Sequence, residues 1–160
     1  MRRNALIALS AAAASSATAL ALATAGSADT AGRTFALYEH GIANDVRFVD
    51  SRPWDRASAG DEALIVHWLS DDRGNRRGTM YVSCEMLRAY RDLGKSPSLC
   101  NATIKLRDGT LTAQGVLPRS GSLHEVLAIT GGTGAYNGAT GTLTSDTSRG
   151  GTTNTFRLRE

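Results

Sequence analysis

The sequence has no Gly-x-Ser-x-Gly elbow, no His-Glu-x-x-His pair, and only three histidines, His40, His67 and His124, far apart in the chain. Those absences exclude elbow-type serine hydrolases and zinc peptidases. Three dispersed histidines make no metal-ligand pattern, so each is read as structural or solvent-facing and no metal is expected. Basic runs are scarce as well. None exceeds Arg76-Arg77, which removes the electrostatic footprint of a nucleic-acid binder. With three prolines, nine aromatics and two cysteines in 160 residues, the chain shows no internal repeat. It has no low-complexity linker beyond residues 26–32.

Long apolar runs are missing except at the N-terminus. Met1-Arg2-Arg3-Asn4 is basic, residues 5–22 are apolar and alanine-rich, and small residues follow. That is the layout of a secretory signal peptide, with cleavage after Ala23, Ala25 or Ala28. A membrane anchor is the alternative. The run is only weakly hydrophobic, and no basic stop-transfer cluster follows it. The expected organisation is a signal peptide over residues 1–28 and one domain over residues 29–160, exported, with no membrane association after cleavage. Losing Arg2 and Arg3 leaves 16 basic and 15 acidic residues, a formal charge of +1. About 130 residues then form one domain around a single core.

The two cysteines, Cys84 and Cys100, have 15 residues between them. In an exported chain such a pair is expected to form a disulfide. Closing a loop of that size stabilises by about 3 kcal/mol in the chain-entropy model.

The segment Val126-Leu127-Ala128-Ile129-Thr130-Gly131-Gly132-Thr133-Gly134-Ala135-Tyr136-Asn137-Gly138-Ala139-Thr140-Gly141 admits two readings. One is a strand feeding a phosphate-binding loop and a helix. The other is a strand, a glycine-rich turn and a returning strand. A dinucleotide fingerprint needs Gly-x-Gly-x-x-Gly, yet Asn137 stands where the third glycine belongs. The following residues are rich in threonine, poor in helix formers and too few for a crossover unit. No nucleotide cofactor is therefore expected, nor any other. The mature chain reads as eight strands, over residues 34–39, 63–69, 78–87, 99–106, 110–117, 123–130, 139–147 and 152–158. Asp108-Gly109 between alternating runs is a tight-hairpin signal. Short successive connections favour antiparallel neighbours, and eight of them close into an all-β, eight-stranded up-and-down antiparallel β-barrel. An open sandwich is the alternative.

The glycine segment, together with Leu99-Cys100-Asn101-Ala102-Thr103-Ile104-Lys105-Leu106-Arg107-Asp108-Gly109-Thr110-Leu111-Thr112-Ala113-Gln114-Gly115, resembles the signature of the dirigent and allene oxide cyclase-like barrel family. The resemblance runs from about Phe35 to the end. It implies a barrel that binds a hydrophobic small molecule and guides its cyclisation or stereoselective conversion, as an isomerase or cyclase would. It also implies a homotrimer. Tyr38-Glu39 resembles the Tyr-Glu pair on the first strand of allene oxide cyclases, where the glutamate lies inside the barrel. Burial disfavours the charged form of a carboxyl, which suits acid–base work, so Glu39 is a candidate catalytic residue with Tyr38. The alternative is a Glu39 that ends the strand and faces water. Val82-Ser83-Cys84-Glu85-Met86 resembles a cyclase strand bearing a cysteine, which offers Cys84 as a reactive thiol in competition with the disulfide. Two departures weigh against the plant activities. Ala139-Thr140-Gly141 replaces the Ala-Arg-Gly of plant dirigent proteins, and His40-Gly41-Ile42-Ala43 replaces the pattern after the cyclase Tyr-Glu pair.

Alternation sorts the faces. Met80, Val82, Cys84 and Met86 share one. Leu64, Val66 and Trp68 share another, opposite Ile65, His67 and Leu69. Trp68, Met80, Val82 and Tyr136 are the candidate ligand-binding residues; Tyr136 would donate to a ligand carbonyl or close the barrel end by packing. Residues 44–60 are long and irregular, carrying Phe48, Pro53 and Trp54 among Asp45, Asp50 and Asp55. They read either as a lid, with Asp50 as a second catalytic carboxylate, or as a loop packing its aromatics on the wall. Three functions remain: a secreted stereo-directing catalyst, a carrier of an apolar ligand, and a structural or interaction barrel filled by side chains.

Overall fold

The computed structural model describes residues 32–39, 45–51, 56–118 and 123–159. The expected signal peptide, His40, Pro53, Trp54 and Asp55 lie outside the described residues. Nine strands run in order: β1 Thr34–Glu39, β2 Asp45–Val49, β3 Glu62–Ser70, β4 Arg76–Met86, β5 Pro97–Leu106, β6 Gly109–Pro118, β7 His124–Gly134, β8 Thr140–Ser148 and β9 Gly151–Arg159. Each of β3 to β8 pairs antiparallel with its successor, β9 pairs with β1, and β1 meets β3 at Tyr38↔Ser70. The result is a closed eight-stranded antiparallel barrel.

The period-2 pattern explains the wall. On β5, Ser98, Cys100, Ala102 and Ile104 are buried, while Asn101, Thr103 and Lys105 face solvent. The outer face is tied by side-chain pairs between neighbouring strands, such as Gln114 Nε2 donating to Asn101 Oδ1 at 2.7 Å. Cys84 and Cys100 stand directly opposite each other on β4 and β5 and are joined as a disulfide. No free thiol remains among the described residues, so the reading of Cys84 as a nucleophile is overturned.

β2 is an addition to the sequence-based expectation, which read its residues as irregular. It runs in the same direction as β1 and continues the pairing along β3, from Asp45↔Val66 to Val49↔Glu62. It pairs with no other strand among the described residues, and all five of its residues are exposed.

The glycine segment is strand and turn. β7 runs straight through Gly131-Gly132-Thr133-Gly134, and the chain then turns back at residues 135–139. A methyl on Gly132 would collide with the Tyr136 carbonyl and Cβ. The bare backbone lets this turn fold down onto the strand end and bury Tyr136.

The interior is filled from that end. Phe156, Leu69, Ile104, Leu111 and Leu158 are fully buried, and Phe35 stacks on Phe156 at 4.7 Å. Each such side chain contributes roughly 1.5–3 kcal/mol of burial free energy. The packed core therefore lies toward the turn end, and the opposite half of the barrel is free to stay hollow.

Candidate functional site

A cavity of about 490 Å³ occupies the other half. Inward residues of six strands shape its apolar wall, among them Ile65, Met80, Val82, Met86, Leu127 and Leu143. The disulfide forms part of the same wall. Phe48 of β2 stands at the mouth, together with Asp50, Asp61 and Glu62. A volume of this size is typical of a small-molecule pocket, and it overturns the reading of a barrel filled throughout.

One polar cluster projects from the wall. Glu39 is the last residue of β1 and points inward after Phe35 and Leu37; it is 5% exposed. His67 Nδ1 lies 2.6 Å from Glu39 Oε2. Asn154 Nδ2 donates to Glu39 Oε1 at 2.5 Å, and Ser145 Oγ donates to Asn154 Oδ1 at 2.6 Å. Asn154 is completely buried on β9, beside β1, and does not line the cavity. It fixes the carboxylate from behind, while Glu39, His67 and Ser145 reach the cavity surface. Every buried side-chain polar atom among the described residues has a partner, so the cluster is held rigid rather than strained. With the carboxylate held on both oxygens, one proton can be shared between imidazole and carboxylate and passed to or from a ligand. Among the described residues no group of three or more histidines, cysteines or carboxylates is arranged to hold a metal ion.

At the mouth Asp61 is anchored differently. Its carboxylate accepts hydrogen bonds from the backbone N–H groups of Ser51 and Ser58 and from both serine hydroxyls, at 2.9–3.0 Å. The Ser58 backbone hydrogen bond, with those of Ser51 and the hydroxyls, lowers its pKa from 3.8 to about 2 despite an opposing desolvation. This keeps Asp61 ionised at the cavity rim.

The sequence-derived candidates divide by position. Glu39, Met80, Val82, Cys84 and Cys100 line the cavity, and Asp50 sits at its mouth. Three do not reach it. Tyr38 neighbours Glu39 on one strand, so the two point to opposite faces; its carbonyl accepts from Ser70 Oγ at 3.2 Å across the β1–β3 seam. Trp68 is on the outer face, 54% exposed, with the Arg76 guanidinium 4.3 Å from its ring centroid. Tyr136 closes the turn end by packing against Phe35, far along the barrel from the mouth. His67, Asn154, Ser145 and Glu125 were not read as site residues from the sequence. For His67 a signal existed, since alternation places it with Ile65 and Leu69. Apolarity alone did not say which face of β3 turns inward.

The sequence matches the allene oxide cyclase barrel-like domain family over residues 44–155. No curated protein matches it. Among solved structures it is similar to a pyocyanin demethylase, at 26% identity over 79% of this chain and all of that one, with a TM-score of 0.67. The Diels-Alderase AbmU from Streptomyces koyangensis is similar at 14% identity, over 82% of this chain and 72% of that one, with a TM-score of 0.58. A pterocarpan synthase dirigent protein is similar at 15% identity, over 79% and 82%, with a TM-score of 0.57. At such identities the last two share the fold alone. The match across most of the chain is decisive: this protein belongs to the allene oxide cyclase barrel-like family.

Proposed function

We propose that the barrel takes up a hydrophobic small molecule and guides its cyclisation or another stereoselective conversion, with Glu39 and His67 handling the proton. The observation that carries this reading is the Glu39–His67 pair, set into the wall of an otherwise largely apolar cavity and braced by Asn154. Apolar walls can hold a flexible substrate near one reactive shape, and closeness of the proton-transfer group then replaces a strong nucleophile. Similarity to a protein named for demethylating pyocyanin supports small-molecule chemistry in this fold. Export of the chain, with removal of a leader over residues 1–28, belongs to the same reading. So does self-association: Leu64, Tyr81, Val116 and Val126 are exposed on the wall, and copies of the chain would cover them.

The test begins with native mass spectrometry of exported protein, which reads the bound molecule, the oligomer and the processed N-terminus together. Turnover of the captured molecule is then compared in wild type and Glu39→Gln. The variant is expected to keep binding and to lose turnover by about 100-fold or more, the usual scale for removing a general acid or base. Equal turnover in both would remove Glu39 from the chemistry. Binding without any wild-type turnover would make the barrel a carrier.

A further inference from the structure

The cavity is sharply one-sided in charge. Among the described residues Glu39, Asp50, Asp61, Glu62 and Glu125 all contribute to its lining, His67 is the one basic residue there, and no lysine or arginine lines it. Chain composition does not account for this, because Lys plus Arg outnumber Asp plus Glu, 18 to 15. A separate depression of about 310 Å³ near the turn end is lined by Arg33, Arg76, Arg77 and Arg107, with only Asp71 and Asp108 in opposition.

We infer that the cavity selects an organic cation, an apolar skeleton bearing a protonated or quaternary nitrogen, and rejects carboxylates. This rests on the reading of the cavity as a small-molecule site. A cleft lined by one sign of charge between low-dielectric walls focuses the field and concentrates the opposite charge. Asp61, ionised even in mild acid, makes that field permanent. Phe48 is an exposed aromatic at the mouth, a side chain type that attracts cations, and Met80 and Met86 supply soft walls that adapt to a skeleton of varied shape. An anionic ligand would enter against Asp50, Asp61 and Glu62 at the mouth, and no guanidinium or ammonium among the described lining residues receives it.

The experiment uses three probes of one shape: naphthylmethylammonium, naphthylmethanol and naphthoate, titrated calorimetrically into the whole protein at low and high salt. The ammonium is expected to bind at least about tenfold tighter than the alcohol at low salt, and naphthoate about tenfold weaker or not at all. High salt should narrow both gaps, because the rim charges are exposed. In the double variant Asp50→Asn, Glu62→Gln the ammonium should lose most of its advantage while the alcohol keeps its affinity. The wild-type salt series carries the same test if that variant fails to fold. Equal affinity for the three probes, or a preference for naphthoate, would overturn the charge selection and leave the cavity reading standing. Binding of none by folded protein would overturn both.

Discussion

Glu39 shows how much one residue's surroundings decide. Its likeness to a cyclase glutamate singled it out, but only the strand's alternation and closure of β9 against β1 put it in the wall, gripped by His67 and Asn154. Asp61 offers a cleaner test at this scale. Its folded pKa of about 2 lies below the ordinary 3.8. Its hydrogen-bonded loop therefore adds stability that is complete above the ordinary value and vanishes as pH falls toward the folded one. Asp61→Asn should melt at a lower temperature than wild type near neutrality, with the difference closing as pH drops from about 4 to about 2. Circular-dichroism melts across that range would show it; a difference independent of pH would assign the loop's stability to packing. Trp68 and His67 mark the limit of legibility. Adjacent on β3, they point to opposite faces, and the sequence favoured the larger apolar side chain as the inward one. The barrel instead buries the imidazole against Glu39 and leaves the indole outside under Arg76.

Strands were the most legible elements because alternation and turn residues are local. The eight expected strands all form, with ends displaced by no more than a few residues. β2 escaped notice because all five of its residues are exposed, so no burial face is written into it; its pairing with β3 alone makes it a strand. The glycines have local reasons. Gly141 on β8 holds φ +141°, and a methyl there would overlap the Arg157 carbonyl oxygen of β9. Gly141→Ala should cost about 3 kcal/mol or more in denaturant unfolding, whereas Gly138→Ala, with open space around it, should cost less despite its positive φ. The disulfide staples β4 to β5 beside the cavity. Cys84→Ser combined with Cys100→Ser is expected to lower stability by about 3 kcal/mol, and reductant should lower the unfolding midpoint of the wild type while leaving that of the variant unchanged.

For the molecule as a whole, the uneven filling of the barrel matters most. Core side chains collect toward the turn end, so the hollow half can change its lining without dismantling the fold. Val82→Trp should therefore block ligand uptake in the calorimetric assay while shifting the melting temperature only slightly; loss of the fold would show that the hollow half is structural after all. Composition, alternation and the glycine turn were enough for the sequence to determine antiparallel strands and their order, because each of these is set by neighbours along the chain or by a period of two; the structure decided for the barrel over a sandwich and for the disulfide over a free Cys84 thiol. Which face of β3 turns inward, how far the core fills the cylinder, and the gathering, among the described residues, of five carboxylates and one imidazole around a single space were decided only by closure. Residues as distant as Glu39 and Asn154 meet solely because the last strand pairs with the first, and a contact made by closing a ring leaves no periodic trace in the sequence.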